Sequence, residues 1–291
     1  MKAAQASTTA KVIAASTILL ASDPRTSELV APGAAQISQQ LLSATRADRL
    51  LAASAKYPLT RALWRWVERL TLPGIMAHFW HRKRWIETRC RKAIAEGFER
   101  VIVLGAGFDT LGLRLSREFP LISVIEMDHP STQAAKRIAL GKASVHSPVN
   151  LEFVALDLGD APLPDSVHVD GRPTIVIAEG LLMYLPQADV DRLFDTLHRL
   201  PVERLRIIFS HIVRWPDGTI GFRPRSKLIH RWLAWRGEPF KWAIEPRLVP
   251  DFLARHDFRL VEKASPRDFS QPSASNAALL EGENLILCEP G

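Results

Sequence analysis

The sequence predicts an α/β fold: a doubly wound, mostly parallel sheet of seven strands, preceded by a helical cap and interrupted by an inserted helical lid. Three observations predict it. From Val101 onward, short β-branched runs alternate with longer helical patterns, the mark of strand–helix units on a parallel sheet. The first and fourth runs are apolar throughout, as strands buried on both faces must be. Finally, Val103–Thr110 runs from a strand through a glycine turn into a helix, the local form found where open α/β sheets hold ligands.

Residues 1 to about 95 read as helical throughout, with Trp64, Trp66, Trp80 and Trp85 set among basic residues. Val12–Leu20 is mostly apolar and follows Lys2 and Lys11, but it is too short to span a bilayer, and Ser22-Asp23-Pro24 stands where a small-residue cleavage site belongs. It reads as an amphipathic first helix. The strand candidates are Val101–Leu104, Ile122–Ile125, Leu151–Val154, Thr174–Ala178 and Leu205–Phe209, with two more near Phe258–Val261 and Asn284–Cys288. Between them, Leu111–Arg117, Thr132–Leu140 and Ala188–Leu200 carry apolar residues at helical spacing. Right-handed crossovers place the loops after the strands along one rim, where a ligand would bind. Residues 211–247 form an insertion after the fifth strand that contains Trp215, Trp232, Trp235 and Trp242. With no Pro-, Gly- or Ser-rich divider, the cap (1–95) and the sheet domain (96–291, lid at about 211–247) are expected to form one structural unit.

The 291 residues are 47% hydrophobic and 24% charged, which excludes a disordered chain and predicts no membrane span. Cys90 and Cys288 show neither metal nor disulfide spacing, and this fits a reducing cytoplasm. The net charge of +7 is concentrated in His81–Arg84, Arg89–Lys92 and Arg204–Arg247. Such a surface attracts phosphates or carboxylates, though a solvated helix face reads the same way. Nucleic acid remains a candidate partner without a recognised motif to support it. His78-Phe79-Trp80-His81 lacks Cys or carboxylate ligands at matching spacing, so no metal is expected and these histidines read as surface or cap residues.

Four elements carry chemistry. Without a Cβ, Gly105 and Gly107 can take positive φ and let a ligand approach the backbone. The third glycine of a pyrophosphate-binding turn is replaced by Thr110, which favours a cofactor without a pyrophosphate. Glu126 and Asp128 end the next strand about twenty positions on, where a carboxylate accepts from the two ribose hydroxyls of an adenosine. Either residue qualifies, and capping of the helix near Pro130 is the structural alternative. After the third strand, Asp157 can reach an adenine amino group and Leu158 can cover the ring. After the fourth, Glu179 and Tyr184 place a carboxylate and a phenol at the rim, and a Glu ending a buried strand needs a cation or donors.

In this order and spacing, Arg82-Lys-Arg-Trp-Ile-Glu87, LGAGFDT, EMDHP, ALDL and AEGLLMYLP resemble the leucine carboxyl methyltransferase family of class I, Rossmann-like S-adenosylmethionine enzymes. The match runs through residues 82–186, and Gly237–Trp242 and Phe252–Phe258 are similar to later family segments. The resemblance implies S-adenosyl-L-methionine as cofactor and S-adenosyl-L-homocysteine as product. Arg82 would bind the methionine carboxylate, with the Gly105 and Gly107 turn against that moiety. Asp128 would hold the ribose, Asp157 and Leu158 the adenine, and Glu179 the ammonium end. Thr9-Ala10-Lys11 is similar to a family segment with a lysine near the cofactor carboxylate; a helix-surface charge is the alternative for Lys11.

The expected reaction is O-methylation of a carboxylate or hydroxyl on a small molecule. A carboxylate acceptor needs no general base; a hydroxyl or amine would make His129, His211 or Tyr184 the residues to test, with Tyr184 placed near the transferred methyl. In the insertion, Arg214 and Trp215, with Arg223 or Arg225, could bind an acidic acceptor, or its tryptophans could be packing residues. Family members that act on a protein C-terminal carboxylate or on RNA, and a non-catalytic cofactor-binding protein, are the alternatives.

Overall fold

The computed structural model describes residues 7–159, 163, 171–224, 226, 228, 231, 234–235, 237–269 and 280–291. Five helices come first: α1 (Thr8–Ala21), α2 (Ala34–Leu41), α3 (Arg46–Lys56), α4 (Pro58–Thr71) and α5 (Ile75–Ala95). The sheet follows as β1 (Arg100–Leu104), β2 (Ser123–Asp128), β3 (Leu151–Ala155), β4 (Thr174–Ala178), β5 (Leu205–Ile212), β6 (Phe258–Ala264) and β7 (Glu283–Pro290). Between them lie α6 (Leu111–Glu118), α7 (Pro130–Lys142), α8 (Gln187–His198) and α9 (Val249–Arg255). The strand order is β3-β2-β1-β4-β5-β7-β6, and β7 runs antiparallel to both of its neighbours. All seven strands and three interstrand helices expected from the sequence are present, with ends shifted by up to three residues.

The sheet is buried on both faces, and its pleat separates two cores. Val101 and Val103 of β1, with Ile175 and Ile177 of β4, pack under α1, α5 and α6. Ile102, Leu104, Val176 and Ala178 face the other way, onto Phe194 of α8 and Phe252 of α9. The cap helices therefore share the first of these cores with the sheet.

Two expectations are corrected. No residue of α1 is exposed, so it is an enclosed helix with no amphipathic solvent face. His78 and His81, read as surface or cap residues, belong to the cap helix α5 but are buried: His78 donates to or accepts from Glu283 Oε2 at 2.7 Å, and His81 stacks on Phe269 with ring centroids 5.0 Å apart. α5 thus turns both histidines inward, His78 onto a carboxylate brought by β7.

Within β2, Glu126 sits two residues before the rim, roughly 7 Å deeper than Asp128 by strand rise. There it accepts from Lys136 Nζ at 2.5 Å, and both side chains are 1% exposed. Burial pushes the Glu126 carboxyl above its usual range, with Lys136 opposing. Breaking one half of a buried pair costs about 3–5 kcal/mol, while replacing both halves with apolar groups can be near neutral. In urea unfolding, Lys136→Met is expected to lose stability of that order, and Glu126→Leu/Lys136→Met is expected to recover most of it. Equal losses in the two variants would contradict the pairing.

Candidate active site

The strand order reverses between β1 and β4, and the chain leaves these adjacent strands at Gly105 and Glu179. A crevice opens at such a switch point outside the strand ends. Here it is a cavity of about 1190 Å³ lined by Arg82, Gly105, Gly107, Asp128, Asp157, Leu158, Glu179 and Tyr184. Eight of the residues singled out in the sequence are thereby brought to one space.

The glycine turn is left-handed, with φ of +64° at Gly105 and +51° at Gly107. A Cβ on Gly105 would lie 2.9 Å from Leu181 Cδ1, so both conformation and space demand glycine. Asp128 holds the turn: Oδ2 accepts from Gly107 N at 2.5 Å and Oδ1 from His129 N at 2.7 Å. A carboxylate has about four acceptor positions, leaving Asp128 able to take two further donors from the cavity. Burial pushes its carboxyl upward, against the two backbone donors. His129, not Asp128, caps α7, accepting from Ser131 N at 3.3 Å. Asp157 accepts from Gly159 N at 3.1 Å.

At the other side of the cavity lies a network of charges. Arg82 Nε donates to Glu179 Oε1 at 2.9 Å, and Nη1 donates to both oxygens of Glu283 at 2.9 Å. Lys83 Nζ reaches Asp109 Oδ2 at 2.6 Å and Glu179 Oε1 at 3.1 Å. Burial alone would raise the Asp109 and Glu283 carboxyls. Instead Lys83 holds the Asp109 carboxyl well below its usual range, and Arg82 and His78 do the same for Glu283. The cations expected at the end of β4 are thus Arg82 and Lys83.

Sequence reading missed Lys83, Asp109 and Glu283. Lys83 and Asp109 stood inside the quoted motifs, and Asp109 also accepts from Leu111 N at 3.0 Å at the start of α6. Glu283 reaches the rim because β7 is antiparallel: its first residue pairs with Ile212, the last of β5. A Glu heading an apolar strand was the available signal.

Other candidates lie elsewhere. Lys11 does not line the cavity; its ammonium bonds Asp48 Oδ1 at 2.8 Å and lies 5.5 Å from the Phe108 ring centroid. Arg214 is exposed and Trp215 donates to Gly221 O at 2.8 Å, both in a turn that extends β5 away from the cavity lining. Arg223 stacks on Trp215 at 4.0 Å and pairs with Asp217 at 2.5 Å. Arg225 and Trp232 lie outside the described residues. From the insertion, Phe222, Leu228 and Gly237–Lys241 line the cavity, and Trp242 is a core residue whose indole donates to Gln187 at 2.9 Å. Leu228, Arg231, Ala234 and Trp235 are helical. His211 is fully buried and away from the cavity.

Residues 6–198 match the leucine carboxyl methyltransferase family. The chain belongs to this family. With it, the chain belongs to the S-adenosylmethionine-dependent methyltransferases. A provisionally named S-adenosyl-L-methionine-dependent methyltransferase of Mycolicibacterium smegmatis is 29% identical over 201 residues, covering 65% of this chain and 64% of that protein. A protein of Mycolicibacterium paratuberculosis with the same provisional name is 27% identical over 226 residues, covering 69% and 72%. The chain therefore spans about two thirds of the length of these relatives. Among solved structures, magnesium protoporphyrin IX methyltransferase from Synechocystis PCC 6803 aligns at 12% identity and a TM-score of 0.46, over 79% of this chain and 94% of that one.

His211 also has a measurable consequence. Burial lowers its pKa to about 4 from an ordinary 6.5, and its Nε2 has no hydrogen-bond partner among the described residues. The unfolded chain therefore takes up the proton first, so stability is full above pH 6.5, falls as pH drops toward 4, and levels off below. This one histidine should contribute about 3 kcal/mol of acid destabilisation. His211→Gln should flatten that part of a stability-versus-pH curve from urea unfolding; an unchanged slope would show that His211 is not buried neutral.

Proposed function

We propose that this chain transfers the methyl group of S-adenosylmethionine to an oxygen, carboxylate or hydroxyl, of a small molecule with an apolar body. The observation that carries the reading is the charge and shape of the cavity at the strand switch point. Glu179, Glu283 and Asp109 face Arg82 and Lys83, so the network holds one negative charge in excess. S-adenosylmethionine, with one carboxylate, one ammonium and one sulfonium, carries one net positive charge. The glycine turn leaves the space a close ligand needs, and Asp128 retains acceptor capacity for a ribose. The residues present therefore fit the cofactor.

When bound, the cofactor supplies a methyl group activated on a sulfonium. Arg82 would take the amino-acid carboxylate, exchanging part of its contact with Glu179 and freeing that carboxylate for the ammonium. Asp128 would hold the ribose and Asp157 with Leu158 the adenine. The volume exceeds the 300–1,000 Å³ usual for one ligand, and the lining continues over Trp64, Val67, Ile75, Met76, Phe79 and Phe240. That apolar stretch suits the acceptor body and excludes water from the reacting centre.

Burial, reinforced by Glu238 and Glu283, pushes the Tyr184 phenol well above its ordinary pKa. Tyr184 therefore remains protonated and can donate a hydrogen bond or shape the cavity, while serving poorly as a base. A carboxylate acceptor, ionised at neutral pH, needs none. Catalysis then comes from alignment, worth about 7–11 kcal/mol in well-oriented systems.

S-adenosylhomocysteine at 100 times its dissociation constant should stabilise the protein by about 2.7 kcal/mol, a rise of about 5 °C in the unfolding midpoint. Asp128→Ala and Glu179→Ala should each lose that rise while remaining folded. With methyl-labelled S-adenosylmethionine and a panel of apolar acids and phenols, base-labile label marks a methyl ester and base-stable label an ether. Label entering RNA, or no acceptor labelled by a chain that binds S-adenosylhomocysteine, would defeat the assignment.

A further inference from the structure

Helix α4, Pro58–Thr71, is strongly amphipathic in sequence, yet none of its residues is buried. Its apolar face points outward. Leu59 is 87% exposed, Leu63 57%, Trp66 59% and Leu70 60%, with Tyr57 and Val67 also exposed beside them. These positions repeat at helical spacing and form one continuous stripe. The polar face is turned to the protein and fixed there. Arg65 pairs with Asp23, Arg61 donates to Ser22 O, Trp64 Nε1 donates to Ser54 Oγ at 3.0 Å, and Glu68 accepts from Met76 N at 3.0 Å. Rotating the helix to bury its leucines would break all four contacts, so the outward stripe is built into the packing.

We propose that this face of α4 docks on an anionic lipid surface. The charges around the stripe choose the occupant. On α3 and α4 every exposed charge is positive: Arg46, Arg49, Lys56 and Arg69. The two acids in these helices are withdrawn, Asp48 onto Lys11 and Glu68 onto the Met76 amide. Two copies of the chain meeting through this face would bring like charges together, whereas anionic headgroups complement them. A tryptophan among leucines with arginines at the edge is the composition of helices that lie in the membrane interface. Fourteen residues rise about 21 Å, short of a bilayer's hydrocarbon thickness of about 30 Å, and no helix among the described residues is long and apolar enough to cross a membrane. The helix would lie on the surface. Its inner side, through Trp64 and Thr71, lines the large cavity, so a docked chain would set one wall of that cavity against the lipid.

The test is flotation of the full chain with phosphatidylcholine vesicles and with vesicles containing phosphatidylglycerol, at low and high salt. Co-flotation with the phosphatidylglycerol vesicles is expected, weaker by about tenfold on phosphatidylcholine alone and weakened by salt. Leu63→Glu/Trp66→Glu, at positions that touch neither the core nor the cavity, should lower binding by about tenfold or more with an unchanged unfolding midpoint. Lys56→Glu/Arg69→Glu should lower binding to phosphatidylglycerol vesicles and leave the phosphatidylcholine background as it was. No flotation of the wild type, or flotation indifferent to both variants, would overturn the proposal. So would a lipid-free dimer that Leu63→Glu/Trp66→Glu dissociates, since a second copy would then be the occupant. None of these readouts depends on methyl transfer.

Discussion

The Arg82 guanidinium joins three separate parts of the chain. It lies on α5, one nitrogen bonds Glu179 beyond β4, and another bonds Glu283 at the head of β7. At 4% exposure an unpaired guanidinium would be prohibitively desolvated, so the site is assembled only when cap, central strand and C-terminal strand are all in place. Burial of this kind contributes little net stability by itself. What it fixes is position: the cation cannot leave without stranding two carboxylates, one of which, Glu283, also needs His78.

The antiparallel placement of β7 makes this possible. In a parallel sheet the rim collects only residues that follow strands. Because β7 enters from the opposite direction, its first residue arrives beside the last residue of β5, and a carboxylate from near the C-terminus meets an arginine from the cap. Glu283 therefore closes the network from a part of the sequence that carries no recognisable motif.

The sheet was legible because its strands are short, β-branched and bounded by turns, and the two fully buried ones, Arg100–Leu104 and Thr174–Ala178, have no polar face to confuse the period. The glycine turn was legible because positive φ leaves few residue choices. Charge placement was not. Glu126 and Asp128 differ by two positions and look equivalent in sequence, but one faces Lys136 in the interior and the other the glycine turn. His78 read only as a surface or cap residue, its burial unseen, because its partner lies 205 positions away. Arg214 and Trp215 looked like substrate ligands because the insertion is rich in both residue types, whereas the chain there doubles back on itself, bonding the Trp215 indole within the turn and leaving Arg214 exposed away from the cavity lining.

The same nonlocality explains the two kinds of amphipathic helix in the cap. In α5 the basic residues Arg82 and Lys83 turn inward because carboxylates on three sheet elements await them. In α4 the basic residues Arg61 and Arg65 turn inward as well, held by Ser22 and Asp23 at the end of α1. For α5 the opposite consequence is harmless, since Trp80, Trp85 and Ile86 also find cover. For α4 it is not: once its arginines are committed to α1, the leucines have nowhere to go but outward. A hydrophobic-period argument alone would have buried that stripe, because it asks which side is apolar and not which side has partners waiting. In this cap the ion pairs decide the orientation, and the exposed apolar face is their consequence.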